Sequence, residues 1–424
     1  MNGDATAGPS RRRLLVDAGR ILATVGTGFS ARSAEVTRKS SADTEIFWGR
    51  HQGGIVTPAQ SHTYFAAFDL TTTKRDDVAS LLRLWTSATA RLAQGRPIEP
   101  IKLDQAYDQD PGTLTPDTGD TLELAPARLT VTFGFGAGLF VKDNQDRYEL
   151  ASRRPEAFVD LPKFNGDQLL PALTGGDLSV QACADDPQVA FHAMRQLAQI
   201  AFGVAEIRWA QTGFLSRPAD GTTPRNLMGF KDGTQVPKSV DKAVWVGNEG
   251  PKWMQGGSYM VVRRIRIALE HWDRTKVNFQ EQTIGRHKLS GAPLGLKDEF
   301  APLGLDRNDG DENPVIPEHA HVRMANAANA GAAEILRRGY SYNDGVNFVA
   351  ERWPPWRQGV EYDAGLLFVC YQNDPRSGFI KTFEDMAKFD MLNQFTTHTG
   401  GGLFACPGGV REGGFIGAGL FESA

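Results

Sequence analysis

The segment Ser61–Leu70, SHTYFAAFDL, is built of aromatic, small and β-branched residues and reads as a strand. Directly after it, Lys74–Gln94 carries Val78, Leu81, Leu82, Leu84 and Trp85 at helical spacing, which predicts an amphipathic helix. That strand-then-helix opening sets the reading of what lies downstream. Pro97–Arg128 is rich in Pro, Asp, Gly and Thr and reads as a long surface excursion. Leu129–Phe135 and Leu178–Ala184 read as strands. Asp186 and Pro187 supply a cap and a proline at the first helical position, opening a helix to about Phe202. Ala205–Thr212 closes this half as a further strand.

The second half repeats the rhythm. Ser258–Leu269 reads as a long strand and His271–Gln282 as a helix, followed by irregular sequence to Glu334. Gly365–Gln372 (GLLFVCYQ) reads as a buried strand, Phe379–Phe395 as a helix and Gly402–Ala405 as a short strand. No tandem repeat is visible in the residues themselves. Two successive strand–helix–strand–strand–helix–strand sets nonetheless predict an α+β protein of two ferredoxin-like domains. A chain of 424 residues exceeds what one core usually organises. The expected division is a signal or tail segment over 1–44, one domain over 45–215 and a second over 216–424.

A net charge of -4 without any basic block argues against nucleic acid or an anionic membrane as partner. The three cysteines, Cys183, Cys370 and Cys406, lie far apart, so neither a disulfide framework nor a cysteine zinc site is expected. Cys183 and Cys370 fall in apolar strand-like runs and read as small buried hydrophobes. No apolar run reaches the ~18 residues of a membrane-spanning helix. At the N-terminus, Ser10–Leu15 (SRRRLL) resembles a twin-arginine export signal. A weakly apolar stretch to Phe29 follows, interrupted by Asp17 and Arg20, and then Ala31–Ala34. An exported protein, periplasmic or extracellular, is the first expectation. A cytoplasmic protein with a basic tail is the alternative.

Among candidate sites, Gly134–Gly138 (GFGAG) lacks the spacing of a dinucleotide fingerprint and the Gly-Lys-Ser/Thr of a phosphate loop. A strand end needing close backbone approach is the better account. His319 and His321 sit at i and i+2 and could share a metal from a strand, yet nothing nearby completes a zinc site. Thr223–Thr234 (TPRNLMGFKDGT) differs in kind. It sets Asp232 between Gly229 and Gly233 after Leu227, Met228 and Phe230. A carboxylate in apolar surroundings suits proton shuttling, while an ordinary Asp-Gly turn is the bland alternative.

Gly229–Gly233 (GFKDG) resembles the GxxDG signature of the dye-decolourising peroxidases, and Phe47–Pro58 (FWGRHQGGIVTP) resembles the opening block of that family. Asp117–Phe140, Gly176–Asp186, Ile284–Lys288, His321–Asn326, Ile335–Tyr342 and Gly365–Asp374 resemble further blocks in the family's order. The likeness spans roughly residues 45 to 420 and is nearest to the exported deferrochelatase/peroxidase subfamily. It implies haem b as cofactor, hydrogen peroxide and small phenolic or dye-like donors as partners, and oxidation through a ferryl intermediate. A homo-oligomer is compatible with it.

The resemblance also implies roles. His321, in HVRMAN, matches the histidine that ligates haem iron, which leaves His319 a bystander. Asp232 matches the distal acid–base residue, and Arg337, with Arg338 as the alternative register, the distal arginine. Arg286, in IGRHK, matches a haem-propionate partner. Asp374 matches the acid that accepts the proximal imidazole N–H. After Asn326 the chain reads Ala-Ala-Asn where relatives often carry Pro-Arg, a departure at the haem edge. Bulky donors would need electron relays to the surface, for which Trp353 and Trp356 are candidates against plain packing. Two other readings stand beside the peroxidase: a protein that handles haem or releases its iron, and a haem-free binding domain.

Overall fold

In the computed structural model of the chain, residues 43–99, 117–218, 220–233, 237–350 and 358–422 are described. The twin-arginine segment and the loop 351–357 with Trp353 and Trp356 lie outside the described residues.

The first half is the set β1 (His62–Leu70), α1 (Arg75–Leu92), β2 (Thr130–Phe135), β3 (Leu178–Ala184), α2 (Pro187–Ile200) and β4 (Ala205–Phe214). Its strands pair antiparallel in the order β2-β3-β1-β4. The Asp186 carboxylate accepts from the amides of Gln188 and Val189, so the cap forms as its sequence predicts. Apolar residues of α1 and α2 face the sheet. Trp85 is wholly buried beside Phe68 and Phe133, and its indole N–H donates to Leu197 O at 2.8 Å, tying the two helices together.

The second half is β5 (Ser258–Ile267), α3 (Val277–Ile284), β6 (Leu336–Arg337), β7 (Tyr340–Ala350), β8 (Gln358–Gln372), α4 (Lys381–Phe389) and β9 (Thr396–Cys406). Its four long strands pair antiparallel as β7-β8-β5-β9, the same second-third-first-fourth order as in the first half. The two sheets meet at Phe135–Ala405 and Phe214–Ser341, so eight strands close into a ring, with short β6 added beside β8. The predicted α+β architecture of paired ferredoxin-like sheets is thus present.

Several elements differ from the sequence reading: the helix expected over His271–Gln282 is a short turn, Leu269–Trp272, followed by α3, and β8 starts at Gln358, seven residues before Gly365. Strand β7 is absent from the sequence reading; Asn343, Asp344 and Gly345 are turn-forming residue types, and here they form an irregularity in the β7–β8 ladder. Strand β9 starts six residues early, at Thr396, although Gly400–Gly402 would normally weaken a strand. A side chain at Gly401 would strike Val262 O, so glycine permits the close β5–β9 approach. The helix expected over Phe379–Phe395 stops at Phe389, since Asp390 is extended (φ -64, ψ 123) and caps a new turn, Met391–Gln394. Gly136 and Gly138, read as a close approach, would strike Gly176 O and Asp177 if they carried side chains.

Candidate active site

On the outer face of the second sheet lies a cavity of about 510 Å3. Ile265, Ile267, Ile284, Leu366, Phe368 and Phe379 give it apolar walls, and His321, Arg286, Asp232 and Arg337 are its polar members of interest. That volume falls within the ~300–1,000 Å3 of small-molecule sites.

His321 opens a single helical turn, His321–Met324. The turn rests on Gly285, which ends α3 at φ 90; a side chain there would strike Val322, so only glycine lets α3 and His321 approach. The His321 Nδ1 lies 2.7 Å from Asp390 Oδ2, and Asp390 Oδ1 accepts from the Leu392 amide at 2.8 Å. With one oxygen fixed by backbone and the other by imidazole, Asp390 fixes the ring, and Nδ1 is the donor. Nε2 is then the nitrogen left for a ligand. Burial presses the His321 pKa down, and the Asp390 carboxylate outweighs it, so the net direction is upward.

The Asp390 contact corrects the expectation for Asp374. That residue lines no part of the cavity, and its carboxylate is taken by Arg376 at 2.9–3.2 Å and by the Arg376 amide at 2.8 Å. Asp374 lies two residues past a buried strand and accepts from the amide of the next turn, whereas Asp390 follows the end of α4 beside His321. Sequence reading missed Asp390; its only signal is an aspartate where an apolar helical pattern breaks.

Across the cavity, Asp232 sits in a loop held by its own backbone. The Asn226 side chain accepts from the amides of Met228 and Phe230, Gly229 takes φ 85 and Gly233 φ 116, and Asp232 N donates to Pro224 O. Arg225 fastens this loop to the Arg286 segment by donating to Gly229 O, Lys288 O and Leu289 O. Arg337 Nη2 lies 3.6 Å from Asp232 Oδ1, and both side chains are about 38% exposed, toward the cavity they line.

Successive residues of an extended strand point to opposite faces, and this separates the two arginines. Arg337 enters the cavity, while Arg338 is buried, bonded to Thr57 O and Gln60 Oε1 of the first half. Geometry therefore brings Arg337, not Arg338, to Asp232. Arg286, directly after Gly285, is buried and donates through Nη1 to Gly291 O at 2.7 Å and Glu299 O at 3.0 Å. Burial lowers its pKa, with Glu299 opposing and Arg337 adding. Its remaining N–H groups are not among the buried orphan atoms. His319 stacks on Phe389, outside the cavity lining. No helix among the described residues is long and apolar enough to cross a membrane.

The family models described as Dyp-type peroxidase, N-terminal and C-terminal, match residues 52–215 and 223–411. A dye-decolorizing peroxidase of Thermobifida fusca is 38% identical over 390 residues, 88% of this chain and 84% of that protein. A deferrochelatase of Escherichia coli K12 is 35% identical over 427 residues, covering 95% of each. Among solved structures, a DyP-type peroxidase from Streptomyces coelicolor superposes with a TM-score of 0.80 at 39% identity, over 90% of this chain and 99% of that one. Ferric DtpA from Streptomyces lividans gives 0.79 at 38% identity, over 90% and 98%.

Proposed function

Since the chain belongs to the Dyp-type peroxidase family, we propose that it is a haem b peroxidase whose cavity sets a proton-shuttling pair, Asp232 and Arg337, across from the iron-holding His321. The residues present fit a haem. An apolar slot would take the macrocycle, a directed imidazole nitrogen would take the iron, and Arg286 would take a propionate by charge-assisted hydrogen bonds. Bound haem would supply the redox chemistry, with hydrogen peroxide as oxidant and phenolic or dye-like molecules as electron donors.

The chain's own groups do the rest. Asp390 holds the His321 proton on Nδ1 and makes the opposite nitrogen a stronger donor. Asp232, when ionised, accepts a proton from one peroxide oxygen and returns it to the other. Arg337, 3.6 Å away, places a fixed guanidinium beside Asp232 where it would stabilise negative charge developing on peroxide. The Asp232–Arg337 pair is the observation that carries this reading, because a protein that only binds haem needs neither group at the cavity.

The test is the rate of spectral change after mixing haem-loaded protein with peroxide. Asp232→Asn is expected to slow it by roughly 10²–10⁴-fold with haem retained. If Arg337 dominates by stabilising charge, Arg337→Leu will show the larger loss. Near-wild-type rates in both variants would remove the assignment. Relatives named deferrochelatase make release of iron from haem the second reading. Iron set free with the porphyrin intact, and no peroxide-driven donor oxidation, would favour it. Export by the twin-arginine route is part of the proposal, carried by Ser10–Leu15. Lysine at Arg11, Arg12 and Arg13 should retain the protein inside the cell.

A further inference from the structure

Behind the aromatic wall of the cavity lies an ion pair the mechanism above does not use. Arg263 on β5 and Asp167 have side-chain exposures of 2% and 1%, yet meet through a single contact of 3.4 Å, Nη1 to Oδ2. Arg263 Nε and Nη2, Asp167 Oδ1 and His398 Nδ1 are all buried without a hydrogen-bond partner among the described residues. The guanidinium lies over the rings of Phe164 and Phe379 at 5.3 and 5.9 Å, and His398 packs on Phe383 at 4.8 Å. The Gln168 amide donates to His398 O at 3.0 Å, which runs the Asp167 loop alongside β9.

A buried ion pair that serves only as a strut should be short, bidentate and fully satisfied, because an unmatched polar group there costs about 1–3 kcal/mol. Four orphan atoms on three neighbouring side chains are the reverse of that. The phenyl rings around them offer no hydrogen bond, whereas water needs two to four polar partners and finds donors on Arg263 and an acceptor on Asp167. The cluster also has two ends. His398 lines the cavity, and Asp167 lies under a turn whose Asn165, Gly166 and Gln168 are exposed. Burial, with Arg263 adding, pushes the His398 imidazole down to about 3, so it stays neutral and able both to accept and to donate.

We propose that Arg263, Asp167 and His398 hold bound water in a hydrogen-bonded chain that carries protons from the surface turn at Asn165–Gln168 to the cofactor cavity. The proposal rests on the peroxidase reading. Reduction of hydrogen peroxide to two waters takes two electrons from donors and two protons from outside. Asp232 only moves a proton peroxide already carries. A donor such as ferrocyanide gives electrons and no protons: one peroxide, two protons and two ferrocyanides yield two waters and two ferricyanides.

Diffraction from crystals of the haem-loaded protein should reveal ordered water within hydrogen-bond distance of His398 Nδ1 and of an orphan atom of Arg263 or Asp167, absent in His398→Phe. With ferrocyanide as donor, both His398→Phe and Asp167→Asn should slow turnover roughly tenfold, less than the ~10²-fold or more for a lost acid–base group. Both should enlarge the solvent deuterium isotope effect on that turnover. A dry cluster in the wild type, or unchanged turnover and isotope effect in both variants, would overturn the conduit. The isosteric Asp167→Asn and the wild-type density keep the test open should His398→Phe fail to fold. A wild type that binds no haem or consumes no peroxide would sink the peroxidase reading instead, and the water would still be sought in that protein.

Discussion

The two sheets share one strand order and differ in what covers them. In the first, α1 of 18 residues and α2 of 14 lie on the sheet and seal it with Val78, Leu81, Trp85, Val189 and Leu197. In the second, the first of the corresponding helices shrinks to 8 residues, α4 follows without a break on a π turn, Arg376–Ile380, and a run from Gly285 to Glu334 with only short helical turns precedes β6. Shorter cover leaves the sheet's apolar residues Ile265, Ile267, Leu366 and Phe368 facing a cavity instead of a helix. The topology is thus neutral with respect to chemistry, and the cavity lies where the first helix is short and side chains are supplied at element ends. His321, Arg286, Asp232 and Asp390 all lie at element ends or in turns, where backbone departs from regular geometry.

His321→Ala should break that contrast most severely. It removes the only iron ligand proposed, so stoichiometric haem and its Soret band should be lost while far-ultraviolet circular dichroism is kept. Full haem occupancy with an unshifted Soret band would sink the ligand assignment. The reciprocal change is Trp85→Ala in the sealed half. Deleting a wholly buried indole and its bond to Leu197 O should cost about 3–5 kcal/mol of stability. Haem absorbance at low temperature should be unaltered, measured by denaturant titration alongside the spectrum. A Trp85→Ala protein that folds normally yet takes no haem would show that the two halves are not separable in this way.

A smaller effect is expected from Asp390→Asn. The asparagine oxygen can still accept from the Leu392 amide, but the uncharged side chain no longer pulls on the imidazole proton, so the opposite nitrogen becomes a weaker donor. Loss of such a partner typically costs 10–100-fold in metal affinity or activity. Haem transfer to an acceptor such as apomyoglobin measures it, and a transfer rate equal to wild type would count against Asp390 as the orienting group.

The sheets were legible because their residues follow physical periods. Ser61–Leu70 and Gly365–Gln372 are runs of apolar, strand-forming residues, the latter buried on one face and lining the cavity with Leu366 and Phe368 on the other, and α1 repeats apolar residues on one face. Strand β7 was not, since Asn343–Gly345 mimics a turn and the strand is fixed by its pairing with β8. In the site, His321, Asp232, Arg286 and Arg337 stand in blocks that look like a family's, and the fold brings all four to one cavity. The choice between Arg337 and Arg338 needed only strand alternation, but that required knowing that β6 was a strand. Asp390 and His398 carry no local signature, because what they do depends on partners 69 residues away and beyond the aromatic wall.

The smallest effect should come from Asp374→Asn, and it sharpens the comparison of the two acids. Sequence blocks favour Asp374 as the partner of His321, and geometry gives that place to Asp390. Every contact of the Asp374 carboxylate goes to Arg376, which also reaches Glu156 through Nη1 at 3.0 Å at an exposed position. Exposed pairs of this kind are worth about 0–1 kcal/mol, and the asparagine oxygen can still accept from the Arg376 amide. Stability should therefore fall by less than about 1 kcal/mol, with the Soret maximum, the haem transfer rate and the peroxide rate all at wild-type values. The two asparagine variants measured side by side separate the assignments cleanly. A spectral shift in Asp374→Asn with none in Asp390→Asn would restore the sequence-based partner and reverse the correction.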